Sequence, residues 1–145
     1  MITGGRILQI TADRNKDKEN SALENMNVNV NIDGLRFEKD KVIATYTHTT
    51  QYTPDIANIK LVGEVHFEEN EKTRKEIEDK WKKDKQLSSS FAEEVLTSIS
   101  FTASAVGTLI AFGLGVTAPI NVPRARVGPS PSLPGMPAKP AAQAA

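Results

Sequence analysis

The chain contains no cysteine, and among its 145 residues there are only one tryptophan, two tyrosines and two histidines. The missing cysteine removes a disulfide framework, a thiolate nucleophile and any cysteine-based zinc site, and suits a reducing or a hot interior. An excess of one charge is missing as well. Lys and Arg number 18, as do Asp and Glu, so the formal net charge is zero, which argues against a general electrostatic grip on nucleic acid. The opening stretch, MITGGRILQI, lacks the basic and apolar regions of a signal peptide, so a cytoplasmic location is expected. With so few histidines, His48 and His66 fall on separate predicted strands without a carboxylate at ligand spacing. Both read as strand-surface residues, and no metal site is expected.

What the chain does have is a run without formal charge, from Val95 to Pro123, in a sequence that as a whole is one-quarter charged. Before it, the pattern is that of strands. Ile7–Ala12 is a short apolar run. Met26, Val28, Val30 and Ile32 alternate with Asn27, Asn29 and Asn31, so one face is dry and the other wet. Asp33-Gly34 then reads as a turn. From Val42 to Tyr52 the chain is rich in β-branched and aromatic residues, with Ala44, Tyr46, His48, Thr50 and Tyr52 on one face. Ile59, Leu61, Val65 and Phe67 alternate with Lys60, Glu64 and His66. Three or four consecutive strands with short links predict an antiparallel sheet with one packed face and one wet face.

After Phe67 the period changes. Of the 18 residues from Glu68 to Lys85, 14 are charged. Glu71–Lys75, Glu76–Lys80, Glu78–Lys82 and Asp79–Lys83 are acid-before-base pairs four apart, and only Ile77 and Trp81 are large and apolar. This predicts a surface helix docked by a thin stripe. Ser90-Phe91-Ala92-Glu93 matches a capping box at the start of a second helix. Phe91, Val95, Ile99 and Ala103 would form its packed stripe, with Leu96, Val106, Leu109 and Ile110 beside it. Gly113 and Gly115 would stop it, and Pro119 and Pro123 would force an extended exit. Beyond Val127 the composition turns to proline and alanine, so 1–127 is expected to be one domain and 128–145 a disordered tail.

Two readings of the uncharged run compete. Residues 95–118 are long enough to cross a hydrocarbon core of about 30 Å, which would make this a membrane-anchored protein. Against that stand six hydroxyl residues (Thr97, Ser98, Ser100, Thr102, Ser104 and Thr108) and the lack of a flanking aromatic belt. The predicted sheet also needs a cover, and the charged helix offers only Ile77 and Trp81. The favoured reading is a soluble helix laid on the sheet.

Candidate chemistry is sparse. Ser88-Ser89-Ser90 lacks the glycine setting of a nucleophile elbow and reads as helix capping. Neither Gly4-Gly5 nor Gly113-Leu114-Gly115 is followed by the Lys-Ser/Thr of a phosphate loop. The acidic helix reads as a solvated face. Tyr46, Tyr52 and Phe67 could offer a base-stacking platform, but the few basic residues around them favour core or interface packing. No catalytic constellation emerges, so the expectation is a binding protein rather than an enzyme, with no cofactor.

The order of elements, with the segments ILQITADRNKDK, IATYTHTTQYTPDIANIKLVGEVHF, KWKKDKQLSSSFAEEVLTSIS and GLGVTAPINVPRARV, resembles the SecB family of protein-export chaperones, and in particular its shorter archaeal-type relatives. The resemblance spans roughly residues 6–127 and rests on apolar pattern and proline placement. It implies an α+β fold in which a four-stranded antiparallel sheet is covered by two helices. It also implies a homo-oligomer, a dimer of dimers, and ATP-independent holding of unfolded or nascent polypeptides in apolar grooves, in the service of export or against aggregation. The long charged helix of residues 68–87 departs from the bacterial members. On this reading the client-binding residues are the apolar ones the core does not absorb: Tyr46, Tyr52, Phe101, Leu109, Phe112, Leu114 and Val116. A structural homo-oligomer that binds one folded partner is the remaining alternative.

Overall fold

The computed structural model describes residues 1–119. The predicted tail, 128–145, lies outside them, as do the last residues of the predicted domain. The chain is α+β: four antiparallel strands form an open sheet and two helices come after them. The strands are β1 (Ile2–Arg14), β2 (Asn25–Glu38), β3 (Lys41–Thr53) and β4 (Ala57–Glu68); the helices are α1 (Glu71–Asp84) and α2 (Ser89–Leu114). The spatial order is β1-β4-β3-β2. β2, β3 and β4 form a meander, and β1 lies beside β4, the strand order of a Greek key. Among the described residues β1 and β2 are therefore the two edges of the sheet.

The alternation in the sequence sets the two faces. Ala44, Tyr46, His48, Thr50 and Tyr52 of β3, with Ile59, Leu61, Val65 and Phe67 of β4, are buried on the face that carries both helices. On the other face Asn27, Asn29 and Asn31 of β2 pair with Gln51, Thr49 and Thr47 of β3. Asp33-Gly34 does not turn the chain. It is absorbed into β2 as a bulge between Ile32 and Gly34, held because the Asp33 carboxylate accepts from Asn31 Nδ2 (2.7 Å) and Thr47 Oγ1 (2.6 Å). The chain reverses further on, at Lys39-Asp40, where Lys39 takes a positive φ of 37°.

α1 is anchored by Ile77, buried among Phe67, Phe91 and their neighbours. Asn70 caps it, its side-chain oxygen accepting from Thr73 N at 2.8 Å. Of the four predicted i,i+4 pairs, Glu78–Lys82 closes, at 2.8 Å. α2 begins at Ser89 with Ser88 as its N-cap and without a side-chain capping bond, so the Ser90/Glu93 box does not form. Its buried residues are Phe91, Val95, Ile99, Ala103, Gly107 and Ala111, every fourth position. Each such step overshoots a full turn by about 40°, so the stripe winds round the helix and α2 crosses the sheet obliquely. Leu96 and Leu109, expected beside the stripe, lie off it and are 42% and 76% exposed. The large stripe residues come first, with Phe91 against Phe67 at 4.8 Å between ring centres. The small ones come last, against Tyr52, Ile59 and Leu61, which supply the bulk there.

Candidate functional site

α2 ends at Gly115, which has a φ of 68°, and two contacts hold the segment from there to Pro119. Arg14 Nη1 donates to the carbonyls of Leu114 (2.5 Å) and Gly115 (3.0 Å), placing a cation at the negative end of the helix. Tyr52 Oη donates to Thr117 O at 2.6 Å. The chain then doubles back along α2, and Pro119 is buried against Gly107. A Cβ at Gly107 would stand 2.8 Å from Pro119 Cγ, so only glycine admits this seat.

Between α2 and the edge strand β2 the sheet is left uncovered. The result is a groove of about 320 Å³ lined by Met26, Val28, Val30, His48, Ser100, Ser104 and Pro119. Its floor is apolar and Val28 is 49% exposed. Its wall is polar. His48 is only 6% exposed, and its ring has no hydrogen bond to another side chain among the described residues. Burial pushes the His48 imidazole below its ordinary pKa, opposed by a contact with its own backbone carbonyl.

The outward face of α2 is the second feature. Phe101, Leu109 and Phe112 are 78%, 76% and 88% exposed and lie along one side of the helix at spacings of eight and three. Of the seven residues expected to face clients, these three stand in the open. Leu114 and Val116 are half-buried against the cluster of Tyr52, Ile59 and Leu61. The expectation fails for Tyr46 and Tyr52, each 1% exposed and built into the core. Tyr46 lies across its cross-strand partner Gly63, where an added Cβ would come within 2.6 Å of its hydroxyl. Tyr52 is fixed by its bond to Thr117. Burial raises the pKa of both phenols.

The far face of the sheet holds a cluster that the sequence pattern does not disclose. Glu64 is 2% exposed although it points away from the helices. Arg6 Nε donates to it at 2.6 Å, His66 Nε2 approaches at 3.0 Å and Arg36 Nη2 lies at 3.8 Å. The hydrogen bond from His66, then that from Arg6 and the charges of the two arginines, hold its carboxyl below the usual range, against the opposing effect of burial. This group is internally satisfied. Among the described residues no set of three or more His, Asp or Glu could hold a metal ion.

Fold and surface together define an open-sheet α+β scaffold whose exposed apolar part lies on and beside α2. No family model, curated protein or solved structure matches the chain.

Proposed function

We propose that this protein is an ATP-independent holdase chaperone of the SecB-like kind, which binds unfolded or nascent polypeptides in the cytoplasm and works as a homo-oligomer, a dimer of dimers. The observation that carries this reading is the bare row Phe101, Leu109 and Phe112 on a helix that carries no charge beyond Glu94 and borders an apolar groove. Large exposed apolar patches mark binding surfaces, and an unfolded chain offers apolar side chains to them. Each Å² of apolar surface so covered contributes about 25 cal/mol. The same chain offers free backbone groups, which the open edge of β2 can pair by strand addition. With no nucleotide step in the scheme, release occurs by mass action or handover to a partner.

The test is suppression of a model client's thermal aggregation at stoichiometric ratio without ATP, read alongside light scattering of detergent-free protein. Suppression by a tetramer-sized species is expected. A monomer that leaves aggregation unchanged would sink the proposal.

One observation favours a second reading, a membrane-anchored or monotopic protein. α2 is long and apolar enough to cross a membrane, and only 28% of its most apolar stretch is buried. Cell fractionation separates the two, since this reading requires detergent for extraction.

A further inference from the structure

Each described element packed against His48 turns an uncharged side to it. Its cross-strand partners are Val30 of β2 and Leu61 of β4. Tyr46, Thr50 and Tyr52 share its face of β3, and burial raises both phenols, so they stay neutral. α2 offers Ser100 and Ser104, and the segment after it offers Pro119. The charges of these elements lie elsewhere. Asp33, Arg36 and Glu38 of β2 and Lys60 and Glu64 of β4 belong to the far face, where Asp33 binds Thr47, Lys60 pairs with Thr49 and Arg36 meets Glu38 and Glu64. Glu93 and Glu94 occupy the first turns of α2, ahead of Ser100. Beyond Pro119 the sequence contains no Asp or Glu.

The neutral ring suits this place, since its own backbone carbonyl takes a hydrogen bond from it. An imidazolium does not: at 6% exposure it would be a buried cation with no facing carboxylate among the described residues. The packing around it has one weak side. The second half of α2 is seated by Ala103, Gly107 and Ala111, which bury far less apolar surface than Phe91, Val95 and Ile99 in the first half. The groove of about 320 Å³ beside that half brings solvent to the ring. We propose that a proton on His48 loosens the second half of α2 from β3, so that acidification opens the groove to water. Desolvation holds the folded imidazole below its ordinary value of 6.5, so the closed form binds fewer protons than the open one. Closure is therefore complete above that value and weakens as pH falls below it. The open fraction grows by up to about tenfold per pH unit until the closed ring itself titrates. This switch goes beyond the chaperone reading and does not rest on it.

Hydrogen–deuterium exchange between about pH 7 and about pH 5, corrected for the intrinsic pH dependence of amide exchange, tests the switch. An undocked helical segment of this length is marginal in water, so loosening appears as lost protection. Amides from Ser100 to Ala111 should open about tenfold more often at the acid end, while those of β4 hold steady. His48→Gln should remove the gain. His66→Gln should keep it, since His66 lies on the far face beside Glu64. Should His48→Gln fold poorly, NMR titration of the wild-type protein decides: the His48 ring signals and the α2 amide signals must share one midpoint, below that of a free imidazole. A gain that survives in His48→Gln, an even gain over helices and strands, or a His48 that titrates while α2 stays closed would overturn the switch. If the switch operates but the protein never suppresses client aggregation, the switch stands and the chaperone reading falls.

Discussion

α1 and α2 lie on the same face of one sheet and meet solvent in opposite ways. α1 buries Ile77, shelters Trp81 under the Lys85 ammonium at 5.3 Å, and turns charged residues outward. α2 buries a stripe of six residues, and over its second half it turns Phe101, Leu109 and Phe112 outward. The far face of the sheet is finished in the manner of α1, with its one buried carboxylate satisfied by three cations or donors. A single chain that completes two of its surfaces and leaves the third apolar marks the third as the surface on which the proposed function rests. Exposure matters here by contrast: lone apolar residues are ordinary on any protein surface, but a row of them on the charge-free part of a helix is not.

Three measurements would sharpen or break that contrast. The largest effect is expected on the packed side of α2. Phe91→Ala removes the partner of Phe67 from a site 5% exposed and should cost about 3–5 kcal/mol in urea unfolding. A loss below about 1 kcal/mol would mean that α2 is not held by this stripe.

Next comes Glu64→Gln, which should cost about 1 kcal/mol at neutral pH, kept small by the solvent that reaches Arg6 and Arg36. It should also flatten the acid limb of the stability curve. Because the folded carboxyl is held below its ordinary value, its contribution is complete above the unfolded pKa of about 4.3 and is lost as pH falls through the folded one. Wild type should thus lose stability on acidification more steeply than the variant; parallel urea midpoints between neutral and acid pH would refute the cluster's role.

The smallest effect on stability, within about 0.5 kcal/mol, is expected for Phe101→Ser with Phe112→Ser, because neither side chain is buried. The same pair should abolish aggregation suppression. Unimpaired suppression would show that the outer face of α2 is not the surface that matters.

Much of the fold is legible in the sequence because alternation is a local signal. The faces of β3 and β4, the charged helix and the first half of the α2 stripe are set by residue order alone. Asp33-Gly34 misleads because a turn dipeptide is also a local signal, whereas the bulge is decided by Thr47 across the strand. Tyr46 and Tyr52 read both as core or interface packing and, on the resemblance, as client-facing, because an aromatic on a half-wet strand has two possible homes. Their burial depends on Gly63 and Thr117, residues that only the folded chain brings to them. The groove leaves no trace in the pattern, since it exists only because α2 covers β4 and β3 and stops short of β2. Glu64 alternates outward as its position requires, yet Arg6 covers it from 58 residues away.

The open sheet carries one last consequence. Its two rims are unlike: Leu8 and Ile10 stand half-bare on β1, while β2 presents Asn27, Asn29 and Asn31. Joining through one rim alone, like with like about a two-fold axis, stops after a single step, whereas joining β1 to β2 has no last member and grows into a filament. Dissimilar side chains along the two rims disfavour the β1-to-β2 junction that an endless ribbon would need.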